Sequence, residues 1–374
     1  MTEQGRTGFW RSPRRDYFLL PLIFFATIAV ILVSGEVVTR VLYLQDDTAE
    51  PCEYHTAGGY RYKPNCTSRT KVWEGPWITQ HFNDCGYRTA ESCAPRPPGS
   101  LRVAVLGSST ARGALVNYDQ SFAAIASADL SRRCGGMVDF QNLGTEPPDV
   151  RSLERRIPEA LALGASAIVI TIGSFDLAHF HEDAPPEGSP EQPAGSMIHE
   201  VVNLLRESRL FSLMQYYLYR DRAFQVRAFL LNQDSADFVR TPLSQAWRDR
   251  VADIGGLLAR ISAETKPIGV PVLLVYIPGR APAALATMKD LPPGVDAYSL
   301  GAAVSKLAVA HGIGFVDTTE DMAKAPDFDS LFYLTDGHPS GGGHAAIARG
   351  VERWLLTEPT FARCTAPGNL ASTP

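Results

Sequence analysis

Two serines directly follow a short apolar run in the stretch "VAVLGSSTARG" (103–113). A serine hydroxyl becomes a nucleophile when a neighbouring base takes its proton and an acid fixes the tautomer of that base. Asp336 and His338, in "LTDGHPSGGGH" (334–344), supply these two residue types much later in the chain. Together with Ser109 they predict nucleophilic catalysis through a covalent intermediate.

Each of these residues also has an ordinary structural explanation. A serine after a strand commonly caps the next helix, and an Asp before a Gly is typical of a turn. A single histidine is more often a core or surface residue than a base. Ser108 is an alternative nucleophile, in an arrangement shifted by one residue. The functional interpretation therefore depends on a fold that brings these loops together.

From Leu101 onward, apolar runs of strand length alternate with helical patterns. The five runs are "LRVAVLG" (101–107), "MVDFQNLG" (137–144), "SAIVITIG" (166–173), "VPVLLVYIP" (270–278) and "IGFVD" (313–317). Such alternation implies right-handed crossovers and a parallel sheet covered on both faces. We predict a three-layer α/β/α sandwich with a five-stranded, mostly parallel sheet. Sites in these sheets form beyond the carboxyl ends of the strands, where Ser109 falls.

The N-terminal segment "YFLLPLIFFATIAVILVSG" (17–35) has no charged side chain and follows a group of arginines, namely Arg6, Arg11, Arg14 and Arg15. An apolar run of about 20 residues can span a membrane, and preceding basic residues favour a cytoplasmic N-terminus. A cleaved signal peptide is the alternative. The length of the run and the lack of a clear A-x-A site favour an uncleaved anchor, with 1–16 in the cytoplasm.

Six cysteines follow the apolar segment, and none forms a C-x-x-C pair. This pattern favours disulfides in an oxidising compartment over a zinc site or buried free thiols. The first four cysteines allow three pairings, among which the sequence does not decide. We expect the pairs Cys52–Cys66, Cys85–Cys93 and Cys134–Cys364.

The chain divides by composition into a Cys-rich lead-in (36–99), a main domain (100–358) and a C-terminal tail (359–374). The stretch 177–242 interrupts the strand–helix rhythm, and we expect a helical insertion that packs as a core element or a cap over a groove. The formal net charge of −5 offers no basic face for nucleic acid.

Several binding motifs are absent or weak. "GSSTARG" is neither G-x-G-x-x-G nor a P-loop, and Ala111 breaks the G-x-S-x-G pattern. We therefore expect no nucleotide cofactor. His179 and His181 precede two acidic residues, yet such spacing in a polar loop is typical of a solvated segment. We expect no metal there.

Over nearly its whole length the chain resembles the SGNH (GDSL-type) hydrolases. "GSSTARG" is similar to their G-D-S-x-T-x-G-like loop, with Ser109 at the nucleophile position and Ser108 in place of Asp. "DGHPSGGGHAAIA" resembles their closing block. "HFNDCGYR" (81–88) is similar to the N-x-x-G-[FY]-R stretch of membrane-anchored bacterial members, which Glu36 and Arg40 also fit.

The resemblance implies a flavodoxin-like fold and a triad of Ser109, His338 and Asp336. It also implies an oxyanion hole that begins with the backbone N–H of Ser109. The family's N-x-G-x-x-G block here reads "NLGTEP", which places Pro147, without an N–H, at a donor position. The G-x-N-D block reads "GSFD", with Phe175 in place of the donor Asn.

Four further residues are expected to assist this site. Gly144 and Asn142 are substitute oxyanion donors, Arg112 is a further candidate, and Asp176 orients its loop. The function implied by the resemblance is an esterase or deacylase that acts on acyl esters, including O-acylated glycans. The expected location is the bacterial inner membrane, with one span and a periplasmic catalytic domain.

Two alternatives belong to other classes. An O-acyltransferase would use the same site toward a sugar acceptor. A catalytically impaired envelope module would keep the fold and bind glycan or a protein partner, which the departures at Pro147 and Phe175 would explain.

Overall fold

A computed structural model of the chain describes residues 16–42, 52–56, 59–145, 150–178, 208–232 and 236–365. The chain forms two compact units. The first comprises 1–44 and 191–217, and the second comprises 45–190 and 218–374.

The first unit contains one long apolar helix, α1 (Asp16–Leu42). Among the described residues it is the one helix that is long and apolar enough to cross a membrane. The expected anchor 17–35 lies inside it, and the helix continues through Glu36, whose carboxylate accepts hydrogen bonds from the Ser208 hydroxyl at 2.7 Å and the Leu210 N–H at 3.0 Å. The helix is thus joined to the segment that begins at Ser208.

The second unit begins with two antiparallel hairpins in the lead-in. β1 (Glu53–Thr56) pairs with β2 (Gly59–Tyr62), and β3 (Thr67–Thr70) pairs with β4 (Ile78–His81). The sequence analysis did not predict these strands, because each has only four residues. The disulfides Cys52–Cys66, Cys85–Cys93 and Cys134–Cys364 are all present, which confirms the expected pairing.

The main sheet has five parallel strands in the order β6-β5-β7-β8-β9. The strands are β5 (Leu101–Leu106), β6 (Val138–Asn142), β7 (Ala167–Gly173), β8 (Val272–Ile277) and β9 (Gly314–Asp317). β5, β6 and β8 are buried along their whole length. In β5 and β8 this fits mainly apolar runs in a parallel sheet, whereas β6 also buries polar side chains such as Asp139 and Gln141. All five predicted strands are confirmed.

Helices cover both faces of this sheet. The described helices after α1 are α2 (Ser109–Arg112), α3 (Phe122–Cys134), α4 (Val150–Arg155), α5 (Ile157–Ala162), α6 (Ser174–Ala178), α7 (Arg209–Tyr219), α8 (Arg222–Leu231), α9 (Gln245–Thr265), α10 (Arg280–Leu285), α11 (Ser299–Ala310), α12 (Thr319–Ala323) and α13 (Gly341–Leu355).

The direction of each crossover decides the face on which its helix packs. The chain moves from β5 to β6 in one direction along the sheet and then proceeds through β7, β8 and β9 in the other. Right-handed crossovers therefore place α3 opposite α9 and α11. Consistently, α3 packs on α13, whereas α9 packs on α11 and α4. The predicted three-layer sandwich is confirmed.

The segment "HFNDCGYR" connects the lead-in to the sheet. The Asn83 amide donates to Gln141 Oε1 of β6 at 3.0 Å, and its oxygen accepts the Tyr87 N–H at 2.9 Å. Gly86 has φ +78°, and a Cβ there would lie 2.0 Å from the Tyr62 carbonyl oxygen. Only glycine allows the turn at Gly86 to lie this close to the end of β2.

One buried carboxyl predicts a pH-dependent stability. Glu352 of α13 is 6% exposed, and its Oε1 has no hydrogen-bond partner among the described residues. Burial raises the pKa of Glu352 to about 7, and the Asp129 charge adds to this, while nearby arginines oppose it. The folded state therefore holds a proton that the unfolded state releases at lower pH.

Glu352→Gln should consequently be more stable than the parent protein, and the gain should grow as pH rises from 5 to 8. We expect the difference in free energy of unfolding to reach about 1–2 kcal/mol above pH 7, because the parent must then bury a charge. Urea unfolding at several pH values measures it. Glu320→Gln, at an exposed ion pair with Lys324, is the control without such growth. A constant difference across the range would contradict the assignment.

Candidate active site

Ser109 lies at the carboxyl end of β5, directly after a sharp turn. Gly107 forms this turn with φ +146°, and a Cβ there would lie 2.4 Å from Thr171 Oγ1 on β7. Ser108 is the N-cap residue of α2, and Ser109 is its first helical residue. The first N–H groups of a helix have no partner in a preceding turn. The turn thus leaves the Ser109 hydroxyl and N–H beside the end of the sheet.

His338 and Asp336 reach the same place from the loop before α13. Ser109 Oγ lies 2.7 Å from His338 Nε2, and His338 Nδ1 lies 2.6 Å from Asp336 Oδ1. Asp336 Oδ1 also accepts the His338 backbone N–H at 3.0 Å. The three side chains form one continuous series of hydrogen bonds. The imidazole bonds Ser109 and not Ser108, the alternative nucleophile.

The charge state of this series follows from its contacts. Burial acts to raise the pKa of Asp336, but the hydrogen bonds and charge of His338 outweigh it and hold that pKa below the ordinary value. Asp336 is therefore a carboxylate at neutral pH and accepts a hydrogen bond from the Nδ1–H of His338. This fixes the tautomer with an unprotonated Nε2 facing the serine hydroxyl.

A second histidine of the closing block is excluded from the series. His344 on α13 is fully buried, and its Nδ1 accepts the Phe122 N–H at 3.3 Å. Burial lowers the pKa of His344 to about 3, so this ring is neutral. It packs α13 against α3.

Glu74, a lead-in residue that the sequence analysis missed, holds the loop that carries Asp336. Its carboxylate accepts the backbone N–H groups of Leu334 (2.8 Å), Thr335 (3.0 Å) and Asp336 (2.8 Å). It also accepts the Thr335 hydroxyl at 2.6 Å. Hydrogen bonds to an ionised acceptor are stronger than neutral ones. The four bonds fix the backbone from which Asp336 and His338 project.

Arg88 holds the segment that carries Ser109, as Glu74 holds the loop of Asp336. This guanidinium is 1% exposed and donates to the backbone carbonyl oxygens that follow α2. The Arg112 oxygen accepts at 2.6 Å, and those of Gly113 and Val116 accept as well. The last residue of "HFNDCGYR" therefore anchors the C-terminal end of the helix that begins at Ser109.

Three of the residues expected to assist the oxyanion hole have other partners. The Asn142 amide donates to the Ala111 carbonyl oxygen at 2.8 Å, and its oxygen accepts the Gly144 N–H at 3.0 Å. The buried Arg112 donates to Gln80 Oε1 at 2.6 Å and stacks over Tyr62. These bonds brace the loops after β5 and β6. Whether any of the three also donates to an oxyanion stays a prediction.

Asp176 and Phe175, two further positions singled out from the sequence, line a cavity of about 380 Å³ that the triad also lines. Asp176 borders it and accepts the Gly173 N–H at 2.7 Å, so it braces the start of α6. Phe175 borders it with 64% of its surface exposed. Pro147 lies outside the described residues, as do His179 and His181.

One cluster in the described part of the chain combines metal-ligand types, namely Asp84, Cys85 and Cys93. Both cysteines are joined in a disulfide and offer no thiolate. Asp84 itself accepts the Ser92 hydroxyl at 2.6 Å and the Cys93 N–H at 2.9 Å. The cluster is therefore explained as a braced disulfide turn.

Comparisons with known proteins give matches among solved structures alone. No protein-family model matches the chain, and no curated protein gives a significant match. An acetyl-xylooligosaccharide esterase from Geobacillus is similar at 16% identity and TM-score 0.39, over 69% of this chain and 95% of that one.

A member of the lipolytic protein G-D-S-L family from Veillonella parvula matches at 16% identity and TM-score 0.35, over 69% of this chain and 100% of that one. A lipase/acylhydrolase from Enterococcus faecalis matches at 14% identity and TM-score 0.34, over 68% and 95%.

The contacts of Glu74 predict a positioning role. Glu74→Gln replaces one acceptor oxygen by an amide that faces N–H groups, so the loop of Asp336 should shift. Because a displacement of about 1 Å can cost on the order of 100-fold in rate, we expect kcat on an activated ester to fall about 10- to 100-fold with little change in KM. Steady-state kinetics measure this split.

Glu154→Gln is the matched control, since Glu154 pairs with Arg260 on the helices behind the sheet. It should leave kcat within about twofold, as expected for an exposed ion pair. An unchanged kcat for Glu74→Gln would disprove the positioning role.

Proposed function

We propose that this protein is a serine hydrolase that cleaves acyl esters through an acyl-enzyme intermediate. The observation that carries the proposal is the hydrogen-bonded series Ser109–His338–Asp336 at the carboxyl end of the sheet. This series combines a nucleophile, a base and an orienting acid within hydrogen-bond distance of one another. The bordering cavity of about 380 Å³ provides room for a small ester.

The first half of the reaction forms the acyl-enzyme. Ser109 Oγ attacks the acyl carbon while its proton moves to His338 Nε2. The Asp336 carboxylate accepts the Nδ1 hydrogen bond and stabilises the imidazolium. The tetrahedral intermediate then expels the alkoxide of the ester, which takes the proton from Nε2 and leaves as the alcohol.

The second half repeats these proton transfers with water. A water molecule gives its proton to Nε2 and attacks the acyl carbon, and the intermediate returns Ser109 as the leaving group with the proton from His338. The products are the free acid and the regenerated hydroxyl. A sugar hydroxyl in place of water would give transfer of the acyl group instead.

The oxyanion of each intermediate needs hydrogen-bond donors. The proposed donor is the backbone N–H of Ser109, the first residue of α2, for which no preceding helical turn supplies a partner. The family's asparagine donor is replaced by Phe175, and the side-chain amide of Asn142 is committed to Ala111. Loss of one donor typically costs about 10²–10³ in rate. We therefore propose a slow hydrolase.

The location is proposed from the first unit and the cysteines. α1 supplies a membrane span, and the basic residues before it favour a cytoplasmic N-terminus. The second unit would then lie outside the inner membrane, where its three disulfides are stable. O-acylated glycans of the cell envelope are the proposed substrate class, since they are esters found on that side.

The proposal predicts that Ser109→Ala abolishes ester hydrolysis. With 4-nitrophenyl acetate and the full chain in detergent, we expect kcat/KM to fall by about 10³-fold or more, because the nucleophile is lost. A fluorophosphonate probe should label the parent protein at Ser109, as identified by peptide mapping. Ser108→Ala is the control and should still be labelled. Equal hydrolysis by the parent and Ser109→Ala would refute the proposal.

A non-catalytic envelope module is the second candidate, and Phe175 at the cavity wall favours it. The two candidates differ in how they respond to a restored donor. Phe175→Asn should raise kcat on the same ester by roughly 10-fold or more if a depleted oxyanion hole limits a working triad.

Phe175→Leu removes the ring without adding a donor and serves as the matched control. A rise in both variants would indicate relief of crowding rather than a new donor. If the parent and Phe175→Asn both fail to hydrolyse esters and resist the fluorophosphonate, the binding module is the correct reading.

A further inference from the structure

The wall of the triad's cavity contains a buried cation, Arg280. This residue begins α10, directly after the carboxyl end of β8, and its side chain is 1% exposed. It lines the same cavity as Ser109 and His338. The catalytic steps proposed above do not use it.

Arg280 has more N–H donors than there are hydrogen-bond acceptors around it. Its Nη2 donates to Asp329 Oδ1 at 3.1 Å, while its Nε and Nη1 have no hydrogen-bond partner within the described ranges. A buried donor without an acceptor costs free energy, and a charged one costs more. An acceptor carried by a ligand would satisfy such a group, since Arg280 forms part of the cavity wall.

The neighbours of Arg280 leave its charge only partly compensated. Arg222 of α8 donates to the other oxygen of Asp329 at 3.2 Å, so two guanidinium groups share one carboxylate. Both guanidinium groups also lie near the Phe328 ring, at 4.3 Å for Arg222 and 5.8 Å for Arg280. Arg222, Arg280 and Asp329 therefore carry one net positive charge among the three of them, and the Glu74 carboxylate also attracts Arg280.

The two acidic residues of the cavity are engaged elsewhere. Asp336 bonds His338, and Asp176 accepts the Gly173 N–H. Neither is a partner of Arg280 in the structure. An anionic group on the substrate would therefore be attracted to Arg280, on the α10 side of the cavity.

We propose that Arg280 binds a carboxylate carried by the ester substrate, so that the protein prefers anionic esters to neutral ones. This inference rests on the proposed hydrolase function and narrows its substrate class. A monoanionic carboxylate matches the single net charge of the cluster, whereas a phosphate with close to two charges would be left partly uncompensated. Carboxylate oxygens also fit the planar donors of a guanidinium.

Binding is best measured without turnover, in the full chain with Ser109→Ala. Two ester pairs each compare a carboxylate with a neutral group: 4-acetoxybenzoate against 4-acetoxybenzamide, and mono-4-nitrophenyl adipate against 4-nitrophenyl hexanoate. The first pair carries the charge on the alcohol side and the second on the acyl side. Titration calorimetry should show at least one charged ester binding roughly 10- to 100-fold more tightly than its partner, as expected for a charge-assisted hydrogen bond.

Arg280→Met, added to Ser109→Ala, should remove most of that preference, and Arg280→Lys should retain part of it. Arg353→Met is the matched control, since Arg353 forms an ion pair with Asp321 and does not line the cavity. It should keep the preference within about threefold.

Equal affinity for charged and neutral esters in both pairs would overturn the proposal, as would a preference that survives Arg280→Met. These outcomes are separate from a failure of the hydrolase proposal. That proposal fails if the parent and Ser109→Ala hydrolyse the esters at the same rate, whatever their affinities.

Discussion

The guanidinium of Arg88, buried among backbone carbonyl oxygens, is the contact on which the site geometry most depends. It holds the chain after α2, and the Glu74 carboxylate holds the loop of Asp336 in the same way. Arg88 and Glu74 both belong to the lead-in, whereas the segments that they hold lie near the beginning and near the end of the sheet domain's sequence. A nucleophile and its base, more than two hundred residues apart in sequence, are thus fixed by one short N-terminal segment.

The strands and the triad were predictable from local patterns. Apolar, β-branched runs that end in glycine specify strands of a parallel sheet, and the topology rule then puts Ser109 and His338 at one edge. Glu74 was not predictable, because a lone glutamate in an irregular segment has no local signal and its partners lie far along the chain. The hydrogen bond from the Asn142 amide to the Ala111 carbonyl oxygen was not predictable either, because no sequence pattern relates these two residues.

The cavity combines an exposed apolar ring with a buried cation. Phe175 lines one part of its wall, and Arg280, which has donors without acceptors among the described residues, lines another. The proposed catalytic groups and the proposed binding group thus belong to the wall of the same cavity. Binding energy from a remote charged group can be used to hold the reacting ester in place, which offsets weaker stabilisation of the intermediate.

The Cys134–Cys364 disulfide closes a loop of 230 residues that contains β6 to β9. Cross-linking a loop of this size lowers the entropy of the unfolded chain, and by the chain-entropy model contributes about 5 kcal/mol. Cys364 follows the last helix of the sheet domain, so it leaves the ribosome after every strand. The covalent closure of the domain is therefore a late event in biosynthesis.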